Sequence, residues 1–309
     1  MGHLTLHPDD SSTGSSGPIV IVGEVLWDVF PDSVSLLGGA PLNFSAHARR
    51  LGLHPILISA LGCDDLGHRA AAEIQAAGLD MSLIGRSPKW TTGRASVTMD
   101  ANGQPHFQIP RPAAYDDLKL SDDDLSELQK MQPSWIYYGT LYASLAEGRA
   151  TLKRLLEALP HATRFYDVNL RPGGDRLDLV GELLAAAQVV KLNESEAERV
   201  IKYLDLPESL EAFCRQASAR FGWRAVCVTL GENGCAMFAH GEFVQAKGVE
   251  IKVADTVGAG DAFAAAFVHG LSQAWPAAEI ARFANCVGAL VASRAGAIPE
   301  WSILEAVIA

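Results

Sequence analysis

Short apolar runs alternate with segments of helical spacing along most of this chain. Ile19-Val20-Ile21-Val22 is an unbroken β-branched run, the pattern of a strand covered on both faces. Pro55 to Leu61, Trp135 to Tyr138, Arg164 to Val168, Ala187 to Leu192 and Ala225 to Leu230 predict further strands. Helices are expected between them, among them one ending at Gly52, one running through Ala77 and one from about Leu145 to Leu159. This βα rhythm predicts an α/β fold with a mostly parallel sheet flanked by helices. The rhythm breaks at 91–116. There Thr91 to Met99, a turn at Asp100-Ala101-Asn102-Gly103 and Gln104 to Ile109 predict a β-hairpin. Residues 1–17 are polar and rich in Ser and Gly, and are expected to be a disordered tail, native or appended, before a single domain over 18–309.

The most informative stretch is Asp255-Thr256-Val257-Gly258-Ala259-Gly260-Asp261-Ala262-Phe263. The alternating run Val249 to Val253 before it predicts a strand, and the small apolar residues from Ala262 to Leu271 predict a buried helix. A glycine turn therefore opens a helix, with an acid in the first turn. Backbone N–H groups at such a turn are unpaired and favour an anion. A carboxylate beside an anion site fits a general base that takes a proton from an attacking hydroxyl. The competing reading is a tight turn whose Asp261 satisfies first-turn amides. Phe263 stands where a dinucleotide-binding fingerprint needs its third glycine, and no Gly-x-x-x-x-Gly-Lys-Ser/Thr loop occurs.

Other polar residues stand where strands or helices begin or end. Asp28 is expected near the carboxyl end of the first strand. Gly38-Gly39 leads into a helix with Asn43 near its start, where an amide can donate to and accept from a polyol. His47, one turn further, is expected to pack. Asp64 and Asp65 are expected to cap the next helix. Asp167-x-Asn169-x-Arg171 would put three polar groups on one face of an extended chain. Asn193 and Glu196 have the spacing of a capping box, and equally of a pair that organises Mg²⁺ through water.

Together these stretches resemble the ribokinase-like (PfkB) family of carbohydrate kinases over about residues 18–305, with bacterial fructokinases the nearest in pattern. The 255–263 string resembles its C-terminal signature, and Gly38-Gly39 with Asn43 its N-terminal Gly-Gly-x-x-x-Asn signature. The resemblance implies a three-layer α/β/α sandwich with a β-sheet lid formed by about 31–40 and 91–116. It implies transfer of the γ-phosphoryl of ATP to a sugar hydroxyl. Asp261 would be the base, and amides of Val257, Gly258, Ala259 and Gly260 the anion hole. Asp28, Gly38, Gly39, Asn43 and Arg171 would face the sugar. Asn193 and Glu196 would organise Mg²⁺, and Thr229, Gly231 and Asn285 would contact nucleotide. The segment at Asp255 and Val257, with the loop 292–297, would offer oxygens to a monovalent cation such as K⁺. Arg94 and Arg111 are cations of the lid region, and the lid's outer face is a dimer contact in many relatives. The Gly-Glu-x-Leu-x-Asp opening at residue 23 and the Asp-Val-Asn-Leu-Arg run put fructose first as substrate. A 2-keto-3-deoxygluconate kinase comes second, and ribokinase or a nucleoside kinase third. A non-catalytic sugar or nucleotide sensor and an oxidoreductase on a doubly wound sheet are the rivals from other classes.

The bulk numbers narrow the partners. A net charge of −11 with no long Lys/Arg run argues against nucleic acid or an anionic membrane. No apolar run approaches the ~18 residues of a membrane span. The five cysteines lack metal or redox spacing, and they fit reduced thiols in a cytoplasm.

Overall fold

The computed structural model describes residues 17–29, 35–99, 105–170 and 176–308. Its strands in chain order are β1 (Ile19–Val22), β2 (Leu26–Val29), β3 (Ser35–Gly38), β4 (Pro55–Gly62), β5 (Ile84–Ser87), β6 (Gly93–Met99) and β7 (Pro105–Gln108). They continue with β8 (Trp135–Gly139), β9 (Thr163–Asp167), β10 (Val189–Asn193), β11 (Ala225–Thr229), β12 (Cys235–Ala239) and β13 (Glu242–Ala246). The main sheet has the order β13-β12-β11-β10-β9-β8-β1-β4-β5. It is parallel from β5 to β11, and β12 and β13 add an antiparallel edge.

Alternation along the strands splits the core into two layers. Ile19, Ile21, Tyr137 and Phe165 face one side, where they meet the apolar faces of the helices Ala40–Arg50, Ala259–Ser272 and Ala277–Ala292. Val20, Val22, Ile136 and Tyr138 face the other, against the helices Ala146–Ala158, Leu177–Ala186 and Glu194–Leu204. Aromatic contacts fix two helices on the first face. Phe44 stacks on Tyr137 at 4.3 Å between ring centroids, and Phe267 meets Phe165 edge-on at 6.0 Å. The chain lays β4 and β5 on one side of β1 and then crosses to β8 on the other. Such a reversal leaves a crevice at the carboxyl ends of the strands.

A second sheet, β3-β2-β6-β7, stands apart from the first. It contains the expected hairpin, whose turn at 100–103 lies outside the described residues, and it adds a strand the sequence did not announce. Asp28 does not extend β1. It sits on β2, paired antiparallel with Leu36 of β3 and parallel with Ala95 of β6. Gly23 breaks the chain direction at φ 155°, so the polar residue moves from the main sheet to the small one. Val249 to Val253 forms no strand. Beyond β13 the chain leaves the sheet edge, and Val249, Glu250, Ile251 and Val253 line a cavity instead. The expected tail lies outside the described residues except for Gly17. Among the described residues no helix is long and apolar enough to cross a membrane.

His47 packs, as expected, and is also fully hydrogen-bonded. Its Nε2–H donates to the Ala297 carbonyl at 3.0 Å, and its Nδ1 accepts from the Trp301 indole at 3.1 Å. Burial lowers its pKa to about 4 against the Ala297 hydrogen bond, which favours the charged ring. The folded value is below the unfolded one, so the unfolded chain binds the proton first as pH falls. His47 therefore contributes its full stability above pH ~6.5 and loses up to ~3 kcal/mol as pH falls toward 4. Thermal melts of wild type and His47→Gln across this window should converge at low pH, because the variant lacks this titration. Parallel curves would refute the assignment.

Candidate active site

The Ala259–Ser272 helix starts on Gly258, whose φ of 78° is a left-handed conformation that suits glycine. Asp261 lies in its first turn, as expected. Asp255 braces the turn: Oδ1 accepts from Val257 N at 3.0 Å, and Oδ2 from Gly296 N at 3.0 Å. With its carboxylate bonded to two amides, the monovalent-cation expectation rests on backbone carbonyls. The anion-hole expectation also narrows, because Val257 N is engaged by Asp255 and Ala259 N reaches Thr256 O at 3.3 Å.

The Ala40–Arg50 helix brings Asn43 to Asp261. Asn43 Nδ2 donates to Asp261 Oδ2 at 2.8 Å across 218 positions of sequence. Its Oδ1 is buried and has no partner among the described residues. Gly39 turns the chain into this helix at φ 111°, where a Cβ would stand 2.6 Å from the Glu24 carbonyl. At Gly38 a Cβ would come within 3.1 Å of an Asp28 oxygen, so the missing side chain gives Asp28 its room. Asp28, Gly39, Asn43, Gly260 and Asp261 line one cavity of about 310 Å³. Ala95 and Ile109, from the small sheet's side, line it too.

An adjoining cavity of about 690 Å³ is within the usual range for a ligand pocket. Gly231, Ile251, Phe263 and Asn285 line it, and Thr229, Thr256 and Gly260 line both cavities. The acid at the helix start thus stands where a small polar chamber meets a wider, more apolar one. Asn285 Nδ2 donates to Lys247 O at 3.1 Å, which holds the chain after β13 over the wider chamber.

A sequence profile of the pfkB family of carbohydrate kinases matches residues 31–303. The chain belongs to that family. It is a sugar kinase on an α/β fold. Among curated relatives, a probable fructokinase of Arabidopsis thaliana is 28% identical over 94% of this chain and 90% of its own length. Among solved structures, a fructokinase from Xylella fastidiosa with bound ATP superposes with a TM-score of 0.81 at 22% identity, over 94% of this kinase and 97% of that chain. A 2-dehydro-3-deoxygluconokinase from Thermotoga maritima superposes with a TM-score of 0.83 at 22% identity, over 94% and 98%.

The remaining expected residues of the kinase divide. Asn193 and Glu196 form the capping box of the Glu194–Leu204 helix: Asn193 Oδ1 accepts from Glu196 N at 2.9 Å, and Glu196 Oε2 accepts from Asn193 N at 2.8 Å. Glu196 Oε1 also accepts from Leu170 N at 2.7 Å, which ties the start of this helix to the chain after β9. Burial raises the Glu196 pKa, and the Lys191 ammonium and backbone amides oppose it. Both residues line the small cavity. With both carboxylate oxygens so engaged, they fit a Mg²⁺ reached through water better than one bound directly. Among the described residues no cluster of three or more His, Cys, Asp or Glu could hold a metal by itself.

The run at 167–171 does not stay extended. β9 ends at Asp167, and Asn169 turns at φ 40°, so the period of two fails. Asn169 lines the small cavity, Asp167 is fully buried, and Arg171 lies outside the described residues. Arg94 is exposed beside buried Ala95. Arg111 is held away from the site by Asp116, Ser144 Oγ and the Leu141 carbonyl, over the Tyr115 ring.

Sequence reasoning missed Lys191, which lies in β10 between fully buried Val190 and Leu192. Its Nζ donates to Asp167 Oδ1 at 2.9 Å and Oδ2 at 3.2 Å. Burial works to lower its pKa, but the carboxylates of Asp167, Glu196 and Asp261 outweigh that and raise it. A lysine flanked by the apolar residues Val189, Val190 and Leu192 within a strand was the available signal.

Proposed function

We propose that this kinase phosphorylates fructose, with Asp261 as the general base. The observation that carries the reading is Asp261 at the meeting of two chambers, hydrogen-bonded by Asn43 and opening the helix beside a glycine turn. The small chamber takes the sugar. Asn43 Oδ1, buried and orphaned, suits a sugar hydroxyl as donor, and Asp28 suits a second. The wider chamber takes ATP, with Thr229 and Gly231 near its phosphates and Asn285 near its base.

As the sugar oxygen attacks the γ-phosphorus, its proton passes to Asp261. The new P–O bond forms while the bond to the β–γ bridging oxygen breaks, and ADP leaves. The amides of Gly258 and Gly260 receive the developing charge, a contribution typically of ~2.7–4 kcal/mol per donor. Mg²⁺, when bound with the nucleotide, neutralises phosphate charge near Asn193 and Glu196. The small sheet covers the sugar and keeps water from competing with it as acceptor. K⁺ at the carbonyls of Asp255 and Val257, and pairing of two chains through the outer face of the small sheet, belong to the same reading.

Charge favours fructose over a 2-keto-3-deoxy acid. An enclosed carboxylate demands a paired cation. Among the described residues Arg111 is spent on Asp116, Arg94 is exposed, and the charge of Lys191 is already balanced by Asp167, while Arg171 lies outside them. The test is the specificity constant for fructose and for 2-keto-3-deoxygluconate, in wild type and in Arg111→Ala. Fructose should be preferred in both proteins, with the variant losing stability rather than selectivity. A preference for the acid that disappears in Arg111→Ala would overturn the choice of sugar and leave the kinase activity standing.

A further inference from the structure

We infer that Lys191 is a catalytic residue, whose ammonium engages the phosphoryl group as it passes from ATP to the sugar, with Asp167 holding it in position. The inference rests on the proposed site of transfer at Asp261 and the glycine turn.

A buried ion pair is a weak source of stability, since apolar residues of similar volume commonly do as well. Lys191 and Asp167 sit on neighbouring strands, β10 and β9, whose other buried residues here are apolar or aromatic, so packing alone gives no reason for charge. What sets the pair apart is what lies in front of it. Lys191 lines the small cavity together with Gly260, Asp261 and Asn193. A Cβ built on Gly260 would be 3.7 Å from Nζ, so the ammonium lies against the turn expected to receive the phosphoryl group. An ammonium carries three N–H donors. Two are directed at the oxygens of Asp167, and a third remains for an acceptor in the cavity.

The chamber is otherwise acidic, with Asp28, Glu196 and Asp261 on its walls. Among the described residues Lys191 is the one cation lining it. Phosphoryl transfer spreads negative charge over the three equatorial oxygens, and a fixed cation out of bulk water stabilises that charge with little reorganisation. Lys191 keeps its proton and forms no covalent bond. The proton of the sugar hydroxyl still goes to Asp261, and ADP still departs with the bridging oxygen.

The test separates a catalytic ammonium from a mere partner for Asp167. Lys191→Met leaves the buried Asp167 carboxylate without its cation, with only the Tyr137 hydroxyl at 3.5 Å beside it, and should melt well below wild type. Adding Asp167→Asn removes that charge, and the double variant should regain most of the lost melting temperature. Its kcat should nevertheless stay at least about 10²-fold below wild type, the scale of one lost electrostatic contact, with KM for the sugar nearly unchanged. A folded double variant with kcat within about ten-fold of wild type would overturn the inference. Should the double variant not fold, Asp167→Asn alone retains the ammonium, and its kcat per folded molecule should exceed that of Lys191→Met. Equal losses in those two single variants would also overturn it. Wild type is the control: if it phosphorylates no sugar with ATP and Mg²⁺, the kinase reading fails first, independently of Lys191.

Discussion

Asp261→Asn should abolish sugar phosphorylation and leave ATP binding nearly intact. The change is isosteric, and the Asn side chain can turn its oxygen toward Asn43 Nδ2, so the contact at 2.8 Å can survive. What then faces the sugar is an NH₂ group, which cannot accept the hydroxyl proton. Loss of a general base typically costs ~10²–10⁴-fold. ATP would occupy a chamber lined mainly by other residues, so its dissociation constant should scarcely move. The check is kcat at saturating sugar beside an ATP titration of the same preparation. A variant that kept more than about a tenth of the wild-type rate would remove Asp261 from the role of base.

Much of this site was legible because its parts are local in sequence. The glycine turn and Asp261 lie within four positions, and the Gly258 conformation and helix start follow from that string. The Asn193–Glu196 spacing likewise carried its own geometry. Here the sequence could not choose between a capping box and an active-site pair; in the fold the two residues form the capping box and also line the small cavity. The α/β class followed from strand runs that are apolar on both faces, the mark of buried parallel strands.

What escaped notice depended on contacts distant in sequence or on broken periodicity. No local pattern shows that Asn43 meets Asp261, or that Lys191 finds Asp167 on the neighbouring strand. The 249–253 run alternates in sequence yet lines a cavity instead of joining a sheet, and alternation alone cannot separate the two. Asp28 moved to a different sheet because Gly23 redirects the chain after only four residues of β1. Asp167 and Asn169 diverge because the backbone turns between them.

Replacing Gly258 should be costlier than replacing any residue that merely lines the wider chamber. At φ 78° an alanine already meets the usual left-handed penalty of ~1–2 kcal/mol. Its Cβ would also stand 2.3 Å from the Ala297 carbonyl oxygen and 2.7 Å from the Ala297 Cα, both backbone atoms. That backbone cannot simply retreat, because His47 binds the same carbonyl and Asp255 binds the amide of Gly296. Relief must come from moving the glycine turn, and with it the first helical turn that carries Asp261. A displacement of about 1 Å in a reacting group can cost ~10²-fold in rate. Gly258→Ala should therefore lower kcat by about 10²-fold and reduce stability by roughly 2–4 kcal/mol, strain and overpacking together. Gly231→Ala is the matched comparison. Its φ is 58°, but nothing lies within 4 Å of the added Cβ, so only the conformational penalty of ~1–2 kcal/mol applies. Melting temperatures and kcat for the two variants decide the matter. Equal stability losses would show that the collision with Ala297 is absorbed elsewhere, and a Gly258→Ala enzyme at near wild-type rate would show that Asp261 does not depend on this turn for its position.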